Sequence, residues 1–213
     1  MDTKFPILES FSKQFKPMLF RRKETISDSD DLNHIFYLNQ GYIRLYTVSR
    51  DGNELTLHIF SPSSIFPILW NKDLQSSEYY FESLTPVEVY SCEKGKLEQL
   101  IAEKTSANLE IIRQLTSFSE STIKKLELKI FGDAYEQVVA TILDLAEYFG
   151  KAGAGGSTII SYWFTHHDIA SLTGLSRERV TIEINNLINK KLISYDGHFI
   201  AIPKLELLKA ELE

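Results

Sequence analysis

The spacing of apolar residues changes near Glu93, and that change limits the fold more than any other feature. Before it, His34–Leu38, Tyr42–Val48, Leu55–Phe60 and Val87–Cys92 are short runs rich in β-branched and aromatic residues. Such runs suit a pleated, half-buried surface. Asn39-Gln40-Gly41, Arg50-Asp51-Gly52-Asn53 and Ser61-Pro62 separate them as turns. Asp51-Gly52 between two alternating runs signals a hairpin, because Gly accepts the positive φ that a tight turn demands. After Glu93, apolar residues recur at spacings of three and four, the helical period. Strands first and helices afterwards give an α+β class. The N-terminal part reads as an antiparallel β-barrel or sandwich. A short helix over roughly residues 5–14 is expected before it.

Three helices are expected next. Lys96–Lys104 is short, with Leu97 on its apolar face. The second is long, from about Ser106 to Phe131, on the order of 40 Å. Along it Leu109, Ile112, Thr116, Ser119, Ile123, Leu126 and Ile130 form a heptad-like seam. Ile111, Leu115 and Phe118 supply a second apolar stripe. One stripe can face the barrel while the other faces a second copy of the chain, so a homodimer is expected along Leu109, Ile112, Ile123, Leu126 and Ile130. Gly132-Asp133 breaks the pattern and marks a boundary. The third helix, Ala134–Phe149, stops at Gly150. Lys151–Ser157 is rich in Gly and Ala and lacks the ending of a phosphate-binding loop, so it is expected to be a flexible surface loop. The domains expected are residues 1–104, a sensing barrel; 105–132, a long dimerisation helix; and 133–213, a winged-helix domain.

The most informative stretch is Thr158–Pro203. Thr165 and Asp168 have capping-box form, and the short helix they open stops at Gly174. Ser176 can cap the next helix, which runs to about Lys190 with Val180, Ile184, Leu187 and Ile188 inward. Helix, short turn with Gly, and helix make a helix-turn-helix, whose second helix enters the DNA major groove. Two short strands joined by Asp196-Gly197 follow as a wing. Arg177, Glu178, Thr181 and Asn185 line the outer face of the second helix. Arg pairs with guanine O6 and N7, and Glu accepts from cytosine N4. Thr165, His166, Ser176, Arg179 and Lys190 are expected to hold phosphates, with Lys191 beside them.

Charge speaks against nucleic acid at first. The 213 residues carry a formal net charge of −6. Residues 133–213 hold seven Lys and Arg against eleven Asp and Glu. Yet Ser176–Lys191 holds four cations and two anions. The favourable charge is local and small, which predicts few phosphate contacts and a shallow salt dependence. No apolar run approaches the roughly 20 residues of a membrane span, and the first ten residues lack the apolar core of a secretory signal. One cysteine, Cys92, excludes an internal disulfide framework or an all-Cys metal cage. A cytoplasmic protein is expected.

The order of barrel, long helix and winged helix resembles the Crp/Fnr family of bacterial transcription regulators. The run His167-Asp168-Ile169-Ala170-Ser171-Leu172-Thr173-Gly174-Leu175-Ser176-Arg177-Glu178-Arg179-Val180-Thr181 is close to the family's recognition signature. Lys191-Leu192-Ile193, Gly41-Tyr42-Ile43-Arg44-Leu45-Tyr46 and Asp51-Gly52-Asn53-Glu54 also match its style. The resemblance implies a cyclic-nucleotide-binding-like jelly roll, a homodimer and a near-palindromic double-stranded DNA operator, with RNA polymerase as a candidate further partner. It implies that Arg177 and Glu178 read bases. Many members carry a second base-reading Arg where this chain has Ile182. An apolar side chain there can touch a thymine methyl, so a different operator core is expected.

The effector site departs too. The cyclic-nucleotide branch holds ribose and phosphate with a Gly-Glu-Leu segment and an Arg-Ser pair. Here Ser61–Thr85 carries Lys72 as its one cation and no Arg. A buried phosphate needs a guanidinium or an amide nest, so cyclic AMP is not expected to bind. The iron–sulfur branch needs several cysteines. His34 and His58 leave haem open, although each reads more simply as a strand histidine. Phe66, Trp70, Tyr79, Tyr80 and Phe81, with Arg44 as charge partner, are candidates for lining a pocket for a small apolar or aromatic effector. Thr122 matches a long-helix position that touches ligand in the nucleotide branch. No cofactor, metal or catalytic residue is expected. Two rival readings remain: a constitutive DNA-binding protein whose barrel is only a dimerisation scaffold, and a cupin-like barrel enzyme, which would need a metal on a His/Glu cluster.

Overall fold

The computed structural model describes residues 15–28, 33–67, 78–103 and 105–212. The helix expected over residues 5–14, Trp70 and Lys72 lie outside them. The chain divides into two compact units, Met1–Thr122 and Ile123–Glu213. The division falls inside the long helix.

The first unit holds eight strands: β1 (Pro17–Phe20), β2 (Thr25–Asp28), β3 (His34–Gln40), β4 (Ile43–Val48), β5 (Glu54–Phe60), β6 (Ile65–Phe66), β7 (Tyr79–Ser83) and β8 (Val87–Glu93). They form two four-stranded antiparallel sheets, ordered β1-β8-β3-β6 and β2-β7-β4-β5. The result is a jelly roll of two sheets, not a closed barrel. Phe36, Leu38, Ile43, Leu45, Phe60, Phe66, Phe81, Val87 and Val89 fill the core between the sheets. The unbroken apolar run of β3 has a physical cause. Phe36 and Leu38 face that core, while Ile35 and Tyr37 belong to a second cluster with Ile65, Cys92, Leu97, Ala107 and Ile111. Both faces of the strand are buried, so the alternation of a half-exposed strand is lost.

Leu97 lies on α1 (Lys94–Glu103), and Ala107 and Ile111 on α2 (Thr105–Phe131). Leu115 packs against the same cluster, and Phe118 meets His58 edge to face at 4.8 Å. The second apolar stripe of the long helix therefore covers the sheet, as its spacing implied. Gln114 on that stripe grips β6. Its Nε2 donates to the Ile65 carbonyl (2.6 Å) and its Oε1 accepts from the Ile65 amide (2.9 Å). Gly41 turns β3 into β4 with φ +88°.

In the second unit α3 (Ala134–Phe149) opens on a capping box between Asp133 and Glu136. It packs on α4 (His166–Thr173), α5 (Arg177–Asn189) and α6 (Leu205–Lys209). Val138, Val139, Ile142, Leu145, Ile160, Ile169, Val180, Ile184, Leu187, Ile193, Ile200 and Ile202 are buried. A sheet ordered β11-β12-β10-β9 completes the unit. Its strands are β9 (Gly150–Ala152), β10 (Thr158–Ile160), β11 (Ser194–Asp196) and β12 (Phe199–Ile202).

Two local expectations need correction. Lys151–Ser157 is not simply a loop. Gly150–Ala152 pairs with Thr158–Ile160, and Ala154–Gly156 forms a single 3-10 turn between them. The turn of the wing is Gly197-His198, because Asp196 still pairs with Phe199. Gly197 takes the positive φ, +61°. Among the described residues no helix is long and apolar enough to cross a membrane.

Candidate nucleic-acid interface

Local chemistry sets the two helices that carry the site. The Thr165 hydroxyl accepts from the Asp168 amide, and the Asp168 carboxylate accepts from the Thr165 amide (2.8 Å), closing both ends of a capping box. Gly174 ends α4 in the left-handed region at φ 66°, donating its amide to the Ala170 carbonyl at 2.7 Å. Two residues later the Ser176 hydroxyl accepts from the Arg179 amide and starts α5. Val180, Ile184 and Leu187 are fully buried, which turns the opposite face of α5 outward.

On that face Arg177 and Glu178 are exposed in the first turn. Hydrogen bonds from its own amide and from the Ser176 hydroxyl lower the Glu178 carboxyl, and nearby Arg177 adds to the effect. Glu178 thus stays an anionic acceptor. Ile182 is 51% exposed one turn further on. Thr181 is half-buried, and its hydroxyl donates to the Arg177 carbonyl at 2.9 Å. Arg177, Glu178, Thr181 and Ile182 thus lie together along the first turns of one helix.

The cations expected on phosphates are less available than their charges imply. Arg179 Nη2 lies 2.7 Å from Glu183, whose side chain is 3% exposed. The same carboxylate accepts from Asn186 Nδ2 at 2.7 Å. Lys190 Nζ donates to Glu211 (2.5 Å) and to the Tyr135 hydroxyl (2.9 Å), and lies 4.3 Å over the Tyr135 ring. These two donations raise the Lys190 ammonium above its ordinary range. Tyr135 in turn donates to Glu211 at 2.6 Å. Arg179, Ile182, Glu183, Asn186, Asn189, Lys190, Asp133 and Tyr135 line an open groove beside α5. Thr165 and Ser176 spend their hydroxyls on capping.

His166 is committed at both ring nitrogens. Nδ1 is 2.8 Å from the Thr181 hydroxyl and Nε2 is 3.2 Å from the Tyr195 hydroxyl on the wing. Burial, and then nearby Arg177, lower its pKa below the usual histidine value. Sequence reasoning missed Tyr195. It missed the stacking of Trp163 on His198 as well, with ring centroids 4.7 Å apart at the wing turn. Both join residues far apart in the chain, and the only local signal was an aromatic at an exposed wing position.

The candidate effector set is divided. Phe66 and Phe81 sit in the core, stacked at 5.1 Å, and Tyr79 packs against them. Tyr80 points to the other face of its sheet, where it stacks on Tyr46 at 5.3 Å. Arg44 is on that outer face too. It bridges Glu82 (2.9 Å) and Glu54 (2.8 Å) and covers the Tyr46 ring at 4.1 Å. Alternation along β4 separates Arg44 from buried Ile43 and Leu45. Arg44 and Tyr80 are therefore not brought together with Phe66 and Phe81. Thr122 is exposed and donates to the Phe118 carbonyl. His58 packs edge to face on Phe60 at 4.7 Å and on Phe118, the contacts of a strand histidine. Among the described residues no group of three His, Cys, Asp or Glu could hold a metal ion.

The seam residues of α2 are exposed: Leu109 49%, Ile112 56%, Ile123 56%, Leu126 57% and Ile130 63%.

Comparison with known proteins gives two family matches. The cyclic nucleotide-binding domain matches residues 17–104, and the Crp-like helix-turn-helix domain matches residues 136–211. The global nitrogen regulator of a Nostoc species is 27% identical over 201 residues, 93% of this chain and 86% of that protein. The CRP-like cAMP-activated global transcriptional regulator of Mycobacterium tuberculosis is 26% identical over 202 residues, 94% and 90%. Among solved structures, a CooA variant from Carboxydothermus hydrogenoformans has a TM-score of 0.80 at 16% identity, covering 100% of this chain and 97% of that one. The c-di-GMP responsive global regulator CLP of Xanthomonas campestris has a TM-score of 0.79 at 18% identity, covering 92% and 98%.

Proposed function

The chain belongs to the Crp/Fnr family and is a Crp-like DNA-binding transcription regulator; on that footing we propose that it works as a homodimer on a near-palindromic operator, modulated by a small molecule other than cyclic AMP. The observation that carries the DNA reading is the exposed first half of α5, where Arg177, Glu178 and Ile182 stand clear of a fully buried opposite face. Arg177 and Glu178 read base edges, and Ile182 meets a thymine methyl. Residues 1–104 sense, 105–132 dimerise and 133–213 bind DNA. Productive binding needs two recognition helices at the spacing of successive major grooves, about 34 Å. A ligand that favours one spacing therefore sets the fraction of chain able to bind.

Five large apolar side chains left half in water along one stripe support the dimer seam. Two observations support an effector other than cyclic AMP. Ser61–Thr85 has no Arg, and Arg44 is already held between two carboxylates on the outer face of its sheet. A match to a cyclic nucleotide-binding domain describes the jelly roll, whose phosphate-holding side chains are a separate matter. The names of two relatives of similar identity, a nitrogen regulator and a cAMP-activated regulator, differ in the signal they suggest.

Selection of bound duplexes from a random pool tests the reading. The expected product is a symmetric site with half-sites about 10 base pairs apart, bound by two chains. Recovery of no enriched sequence refutes it. Calorimetric titration with cyclic AMP should show no heat of binding, and micromolar affinity would overturn that part.

A further inference from the structure

Four groups on three elements form one chain of hydrogen bonds: Tyr195 on the wing, His166 on α4, and Thr181 and the Arg177 carbonyl on α5. The Thr181 hydroxyl has a single proton. With that proton on the Arg177 carbonyl at 2.9 Å, His166 Nδ1 must donate to Thr181 across 2.8 Å, and Nε2 accepts from Tyr195. In the other tautomer Nε2 donates to Tyr195 and Thr181 gives its proton to Nδ1. Either way the proton is spent inside the protein, and Thr181 keeps at least one free lone pair. The lowered pKa of His166 favours the neutral ring that both arrangements use.

We propose that His166 is a positioning residue for base reading: it holds the Thr181 hydroxyl so that Thr181 offers the major groove an acceptor only, and thereby selects a base with an exocyclic amine. In the major groove adenine presents N6–H₂ and cytosine N4–H₂, whereas guanine and thymine present no donor. Thr181 thus favours adenine or cytosine at its position in each half-site. His166 does this without touching DNA, because both of its nitrogens are engaged within the protein. The inference rests on α5 being the helix that enters the major groove.

Duplex selection with the full-length protein and four variants tests it. Wild type should favour adenine or cytosine at one half-site position by about three- to tenfold, the value of one net hydrogen bond. Thr181→Val should reduce that preference to less than about twofold and leave the other positions alone. Thr181→Ser should keep it. Both substitutions are small and fall on a half-buried helical surface, so the fold is retained. In His166→Ala the Arg177 carbonyl alone holds the hydroxyl, which can then turn and donate to guanine O6 or thymine O4, so the preference should relax at that one position. His166→Asn, with an amide N–H in reach of Thr181, should restore it, which a purely structural role would not do. The proposal is overturned if Thr181→Val changes no position, if the position it changes holds guanine or thymine in the wild-type site, or if His166→Ala leaves that position unchanged. Failure of the wild-type protein to enrich any sequence is a different result. It removes the DNA reading itself, and this inference with it.

Discussion

Replacing Leu126 by Lys separates a dimer seam from a stripe that merely decorates a helix. Leu126 is 57% exposed in the single chain. Fully burying a Leu side chain stabilises by about 1.5–3 kcal/mol, so covering its exposed half against a partner contributes about 1–1.5 kcal/mol. Two-fold symmetry doubles this to about 2–3 kcal/mol. Lysine forfeits that sum and sets two ammonium groups near each other across the axis. The dimer dissociation constant should rise about a hundredfold. Sedimentation velocity over a concentration series reads the change directly. The substitution falls on an exposed position, so thermal unfolding of the chain at a concentration where both proteins are monomeric should move little. Glu120→Lys, an exposed charge reversal on the same helix, is the control and should leave the dimer intact. Identical sedimentation of Leu126→Lys and wild type at every concentration would refute the reasoning.

Three further outcomes follow from the geometry. Glu183→Ala removes a buried carboxylate that pairs with Arg179 and accepts a hydrogen bond from Asn186, each at 2.7 Å. It should cost about 1–3 kcal/mol in urea unfolding and should free Arg179. Cys92 is buried in an apolar cluster, and burial pushes its thiol up to about 11 from 9.0. A raised folded-state value means the stabilisation is whole below pH 9 and is lost as pH rises through 11. The thiol should accordingly resist alkylation at pH 8 in the native protein and react on unfolding. Gly41→Ala places a Cβ 2.7 Å from both Thr85 Oγ1 and Val87 Cγ1 at a backbone φ of +88°. It should destabilise the first unit by about 2 kcal/mol or more, through left-handed strain and overpacking together.

What could be read without coordinates was what neighbouring residues decide. The capping box of Thr165 and Asp168, the left-handed stop at Gly174 and the Ser176 cap are each settled within four residues, and all three were legible. So were the long helix and its inner stripe, because a spacing of three and four repeats over many turns. What was illegible depends on partners far along the chain. Strand β9 is Gly-Lys-Ala, with no strand preference of its own, and forms because Thr158–Ile160 folds back on it. Arg44 read as a charge partner for an effector, and its partner within the chain, Glu82, stands 38 residues later. Lys190 looked like a phosphate ligand, but Glu211 and Tyr135 hold it from the far ends of the unit. His166 is joined to Tyr195 across 29 residues, and neither residue's local sequence foretells the other.

The grip of Gln114 on Ile65 has a consequence of its own. Strand β6 is two residues long and lies at the edge of its sheet, with β3 on one side. On the other side a helix side chain performs the task of a neighbouring strand, meeting the amide and the carbonyl of one residue as a backbone ladder would. The edge is thereby sealed against pairing with foreign chains, a hazard that short exposed edges otherwise carry. It also makes the strand and this turn of the helix one mechanical part. Ile65 cannot slip by a residue without giving up two hydrogen bonds at once or taking Gln114 with it. A push on the strand thus arrives at the helix as a displacement.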